Sequence, residues 1–307
     1  MEYKITLLKL SKFIILFLII DFALGSITKQ LFFQQKTGKY ARSIYAIRES
    51  NAKIMIFGSS HAHRHYVPEI FEKELKTSCY NNGAEGQQLL FHLAMQRMIL
   101  RNKKPDIMIL NIDENFLFKS DIAYDRLADL YPYYEDYKDE LESILSLKSK
   151  LLNFQLFFKA YQSNSTIVHV IRYFLSPQID TNGYRPLYGK INPSKDQQHD
   201  DVFEKEYIEE IDENFVNSFT EFIYNARKNN VKLIFVTSPT FYEVDLSKNL
   251  SYNMMVELSE KENIQFLDFF NDEEFYGKEE LFHDKSHLND TGARIFTKKI
   301  IEKINTK

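Results

Sequence analysis

The fold class predicted by this 307-residue sequence is α/β: a three-layer, flavodoxin-like sandwich with a mainly parallel five-stranded sheet and an inserted helical cap. Three observations predict it. Short apolar runs rich in strand formers recur along the chain, helical segments separate them, and the alternation breaks once, between about residues 116 and 200. Parallel neighbours need crossover connections, so strands alternating with helices imply βαβ units.

The first run, KIMIFG (Lys53–Gly58), is bounded by glycine and reads as a buried strand. VPEIFEKELK (Val67–Lys76) has helical spacing, with Pro68 suited to a first turn. SCYN (Ser78–Asn81) reads as a second strand and leads into the glycine turn NGAEG (Asn82–Gly86). An amphipathic helix follows over Gln87–Asn102, then a third strand, PDIMILNI (Pro105–Ile112). From about Phe116 to about Asp200 the sequence is mostly helical in character and too long for an ordinary connection, which predicts the inserted cap. Its YPYYEDY stretch (Tyr131–Tyr137) suits either packing or a carbohydrate-stacking surface, and TNGYRPLYGKINPS (Thr181–Ser194) reads as loop. Alternation resumes with a helix near Tyr207–Lys228 and the strand VKLIFVTSP (Val231–Pro239). A helix around Ser251–Glu262, the strand IQFLDF (Ile264–Phe269) and a last helix over Gly292–Ile304 complete the pattern.

Composition narrows the function. A formal charge of −4 lacks the basic excess of a nucleic-acid binder, so no nucleic-acid partner is expected. Cys79 is the only cysteine, which excludes an intrachain disulfide and a cysteine-based metal cluster. At the N-terminus, FIILFLII (Phe13–Ile20) follows Lys4, Lys9 and Lys12. That arrangement predicts a transmembrane anchor or a signal sequence over residues 1–28, in an N-in, C-out orientation. Residues 29–50 read as a connector and 51–307 as the main domain. The expected protein is therefore membrane-anchored by a single N-terminal pass, with an extracytoplasmic domain.

In open α/β sheets, ligands bind outside the C-terminal ends of the strands. Four polar clusters fall there: Gly58-Ser59-Ser60-His61, Asn82 to Gly86, Asn111 to Asn115, and LFHDKSHLNDTGARIF, which holds Asp284 and His287. A serine hydroxyl is a poor nucleophile until a histidine removes its proton, and a carboxylate orients that histidine. Backbone N–H groups after the first strand and at the glycine turn are placed to converge on an oxyanion. HAHRH (His61–His65) invites a metal reading, because His61 and His65 share a helix face. No HExxH motif is present, and the neighbouring serine is explained without metal, so no metal or cofactor is expected. His61 and Arg64 are placed as substrate-binding residues beside the nucleophile.

These blocks resemble the SGNH (GDSL-like) hydrolase superfamily, whose pattern is G-D-S, a glycine turn, G-x-N-D and D-x-x-H-L. By position the resemblance implies Ser60 as nucleophile, His287 as general base and Asp284 as its orienting carboxylate. It implies an oxyanion hole from Ser60, Gly86 and a third-block residue. The third block here is NIDEN, so Asn115 is the choice and Asp113 the alternative. The G-S-S form and the N-terminal segment also look like envelope proteins that assist polysaccharide O-acylation. The implied function is a serine esterase or O-acyltransferase acting on acyl esters of a cell-envelope glycan. Its partners would be an acylated glycan or other small acyl ester, the membrane, and a membrane-bound acyltransferase. The rival expectation is a catalytically inactive, membrane-tethered accessory protein.

Overall fold

The computed structural model describes residues 2–192 and 207–305; the end of the predicted insertion, with Pro193 and Ser194, lies outside the described residues. The chain divides into two compact units, one of residues 42–123 and 179–307, the other of residues 1–41 and 124–178.

The larger unit is built on a sheet of β1 (Ile54–Phe57), β2 (Cys79–Asn81), β3 (Ile107–Ile112), β6 (Lys232–Thr237) and β7 (Gln265–Leu267). The order is β2-β1-β3-β6-β7, and every neighbouring pair is parallel. All five strands lie within the predicted runs, and the flavodoxin-like order matches the predicted class. A two-stranded antiparallel ribbon, β4 (Phe118–Lys119) with β5 (Ile208–Ile211), lies outside this sheet. The sequence predicted one helix from Tyr207 to Lys228. Instead β5 pairs with β4, and the helix starts at Glu213 because the Asp212 side chain caps it, accepting the Asn214 N–H at 2.9 Å.

Side chains alternate across a sheet, so each strand feeds two cores. Ile54, Ile56, Ile109, Ile234 and Val236 share a buried cluster with Phe71, Phe296 and Ile300, against the Pro68–Leu75 and Asp290–Asn305 helices. Phe57 and Phe235 face the opposite way, their rings 5.7 and 4.9 Å from Phe222 and Phe219 of the Glu213–Lys228 helix. That helix packs beside Leu89–Leu100. These are the three layers.

In the smaller unit the Glu2–Phe33 helix packs on the 3-10 turn Tyr161–Ser163 and the Ile167–Leu175 helix. Asp21 accepts the backbone N–H groups of Lys159 (2.8 Å) and Ala160 (3.1 Å). Gly25 sits so close that a Cβ there would lie 2.3 Å from the Lys159 backbone. Tyr131, Tyr133, Tyr134 and Tyr137 are all buried, so the YPYYEDY tyrosines are packing residues.

The membrane expectation is corrected here. Among the described residues no helix is long and apolar enough to cross a membrane. The expected single N-terminal membrane pass is therefore not supported. The unbroken apolar run Phe13–Ile20 has eight residues. At 1.5 Å per residue that is ~12 Å of helix, against a hydrocarbon core of ~30 Å. Asp21 ends the run, and its carboxylate is committed to the two amides above.

Phe296 anchors the terminal helix: it is fully buried, its ring 5.2 to 5.9 Å from those of Tyr66, Phe269 and Phe275. Phe296→Ala removes that anchor and leaves a cavity. The expected loss of stability is about 3–5 kcal/mol, read as a lowered urea midpoint with unchanged slope.

Candidate active site

β1 ends at Gly58, with φ +138°, where a Cβ would press within 2.8 Å of Asn111 Cβ and 2.9 Å of Ala62 Cβ. Only glycine fits that turn. Ser59 caps the short helix Ser60–His65, its hydroxyl facing the His61 N–H at 3.4 Å. Ser60 is thus the first helical residue at the C-terminal end of the sheet.

The second block is fastened to the first. Asn81 at the end of β2 donates to the carbonyls of Ala62 (2.7 Å) and Tyr66 (2.9 Å) and accepts the Gly83 N–H (2.8 Å). Ala84 N–H bonds the Gly58 carbonyl at 2.9 Å. Gly83 approaches the helix so closely that a Cβ would lie 2.3 Å from His63 N. Gly86 has φ +70°, the left-handed region that favours glycine.

The last block closes the set. Asp284 Oδ1 accepts the backbone N–H groups of Ser286 and His287, both at 2.8 Å. Both Asp284 carboxylate oxygens lie 3.0 Å from His287 Nδ1, and His287 Nε2 lies 2.8 Å from Ser60 Oγ. With Nδ1–H donating to Asp284, Nε2 is left to accept the serine proton. Burial alone would raise the Asp284 pKa, but the His287 hydrogen bond and charge, with the two backbone donors, bring it to about 2.

The loop carrying these groups is strapped down by residues 181–191, the stretch predicted as loop. Tyr184 Oη donates to Asp290 at 2.8 Å, and the Leu187 carbonyl accepts the Asp290 N–H at 2.7 Å. The Gly189 carbonyl accepts from the Asn289 amide at 2.8 Å, and Ile191 N–H bonds the Phe282 carbonyl at 2.8 Å.

The remaining predicted residues are placed as follows. Arg64 is buried; it donates to Glu85, with Nε at 2.8 Å, and to the Arg185 carbonyl at 3.1 Å. His63, its Nδ1 3.5 Å from Glu85 Oε1, and the Arg64 charge hold Glu85 well below the usual carboxylate range. Arg64 therefore braces the glycine turn. Asn115 bonds Glu114 (3.3 Å) and Asn249 (3.4 Å), and no bond ties it to Ser60 or His287. His61 Nδ1 lies 2.6 Å from Asp113 Oδ1. Burial raises the Asp113 pKa, the His61 charge lowers it, and the lowering prevails. Asp113 is thus an ion-pair partner rather than a bare charge. Sequence reasoning did not find this pairing, nor Asn111 and Ser238 behind it; the only signal was the i, i+4 spacing of His61 and His65.

The parallel sheet in this order thus carries the serine after its first strand, the glycine turn after the second and D-x-x-H before the last helix. No family model matches the sequence, and no curated protein matches it significantly. Similar solved structures include the acetyl xylan esterase AlAXEase, at 15% identity and TM-score 0.43, covering 82% of this chain and 99% of that one. Another, assigned as a lipolytic protein of the G-D-S-L family from Desulfitobacterium hafniense, has 12% identity and TM-score 0.40, covering 81% and 98%.

The Asp284 carboxyl falls from an ordinary 3.8 to about 2 on folding, so it stabilises the native state above about pH 4. That contribution is lost as pH falls through 2. In urea titrations the advantage of wild type over Asp284→Asn is expected to shrink between about pH 4 and pH 2.

Proposed function

We propose that this chain is a serine esterase that cleaves small acyl esters through Ser60, His287 and Asp284. The observation that supports the reading most strongly is the unbroken relay from Ser60 Oγ to His287 (2.8 Å) and from His287 to Asp284 (3.0 Å). Ser60 Oγ attacks the acyl carbon while His287 Nε2 takes its proton. The carbonyl oxygen becomes an oxyanion facing the N–H groups of Ser60 and Gly86; Ser60 is the first residue of its helix, where N–H groups lack intrahelical acceptors. His287 returns the proton to the leaving alkoxide, and the ester bond breaks to give an acyl-serine. Water, deprotonated by the same imidazole, then attacks the acyl group and regenerates Ser60. Asp284 holds the Nδ1–H tautomer throughout.

An anionic intermediate is compatible with a neighbouring Asp113 because His61 balances that charge at 2.6 Å. Asn115, held by Glu114 and Asn249, is not assigned an oxyanion role.

Full-length protein is incubated with p-nitrophenyl acetate and, separately, with a fluorophosphonate. The expected results are turnover and a covalent label on Ser60 by mass spectrometry. Ser60→Ala and His287→Ala are expected to lower kcat by about 10⁴-fold or more, and Asp284→Asn by about 10³–10⁴-fold. Wild-type protein that neither turns over nor labels, under conditions that label a control esterase, would overturn the reading in favour of a non-catalytic binding protein.

A further inference from the structure

We propose that His65 is a positioning residue that clamps the backbone next to His287 and so aims its imidazole at Ser60. The inference rests on the esterase reading above and concerns the same site. It gives a role to His65 of HAHRH, the histidine motif that the relay itself leaves unused.

His65 grips the C-terminal side. Leu288 N–H donates to His65 Nε2 at 3.0 Å, so that nitrogen carries no proton. The proton is on Nδ1, 3.0 Å from Ser238 Oγ. Ser238 donates onward to Asn111 Oδ1 at 2.7 Å, which also accepts the Tyr66 hydroxyl at 2.7 Å. All four of these side chains are buried. His61, one turn earlier on the same helix, is held by Asp113, 2.6 Å from its Nδ1. Asn111 closes the circuit, its amide donating to Asp113 Oδ1 at 3.2 Å.

His65 must be neutral to accept from Leu288, and burial, with the His61 and His287 charges, pushes its pKa well down. At His61 burial opposes the charge, but Asp113 outweighs burial and the pKa rises. The ring centroids of His61 and His65 lie 5.5 and 6.0 Å from that of His287. The ionisable groups around His287 are thus Asp284 from its own loop and His61 and His65 from the serine helix. Asp113 and Glu114, from the end of β3, stand beside His61.

His65→Gln retains an acceptor for the Leu288 N–H; His65→Leu retains only bulk. On p-nitrophenyl acetate His65→Leu is expected to lose about 10- to 100-fold in kcat, with KM changed by less than about twofold, and His65→Gln to recover most of the loss. In the full-length protein, amide hydrogen exchange at Leu288 is expected to quicken about 10-fold or more in His65→Leu and to stay within about threefold of wild type in His65→Gln. Equal activity of the two His65 variants, or a Leu288 amide that exchanges no faster in His65→Leu, overturns the clamp. If His65→Leu does not fold, His65→Asn, polar but too short to reach the Leu288 amide, decides by the same two readouts. A wild type that never turns over an ester sinks the esterase reading, while the exchange measurement still judges the clamp.

Discussion

The contact on which the site depends is the 2.8 Å approach of His287 Nε2 to Ser60 Oγ, made between residues 227 positions apart. Neither group can be placed by its own segment. Ser60 sits at the end of β1, and His287 sits on a loop that precedes the terminal helix. The sheet fixes the first, and a set of tethers fixes the second. A hydrogen bond of this kind has a narrow range of useful lengths and angles, so a loop free to wander would rarely make it. The structure answers with ties from several directions: Asp284 within the loop, the 181–191 strap across it, Phe296 beneath the helix that follows, and His65 of the serine helix.

Those ties are polar and buried, which makes them demanding. A buried donor or acceptor without a partner costs about 1–3 kcal/mol, so such a network is stable only when its members are satisfied together. Asn111 illustrates the requirement. Its carbonyl oxygen accepts from Tyr66 and Ser238, and its amide donates to Asp113. One residue of a central strand thereby connects the helix that carries the serine, the end of β6 and the carboxylate beside His61. The same logic explains why Arg64 and Glu85 pair next to the glycine turn: the guanidinium neutralises the carboxylate and holds the backbone that presents Gly86.

The five strands were legible because a strand buried on both faces must be a short apolar run, and the Asp284–His287 pair because its spacing is local. The structure parts from the sequence reading where a residue's meaning depends on distant neighbours. An apolar run such as Phe13–Ile20 states only that water is a poor environment for it. What the helix does is seen in Asp21, whose carboxylate caps two amides of residues 159 and 160. Arg64 looked like a pocket cation until Glu85 and the Arg185 carbonyl were found against it. The segment Ile208–Ile211 looked helical because its antiparallel partner, Phe118–Lys119, lies some 90 residues away.

What the sequence by itself determined is the layered α/β class, its five strands and the local Asp284–His287 unit, since periodicity and short spacing are properties of neighbouring residues. What only the tertiary structure decided is where the loop carrying His287 comes to rest. It also decided which ring nitrogen of His65 accepts a hydrogen bond and whether Asp113 stands alone or paired. Those outcomes follow from distances between segments far apart in the chain, and a pKa or a hydrogen bond depends on the atoms that surround a group rather than on its place in a motif.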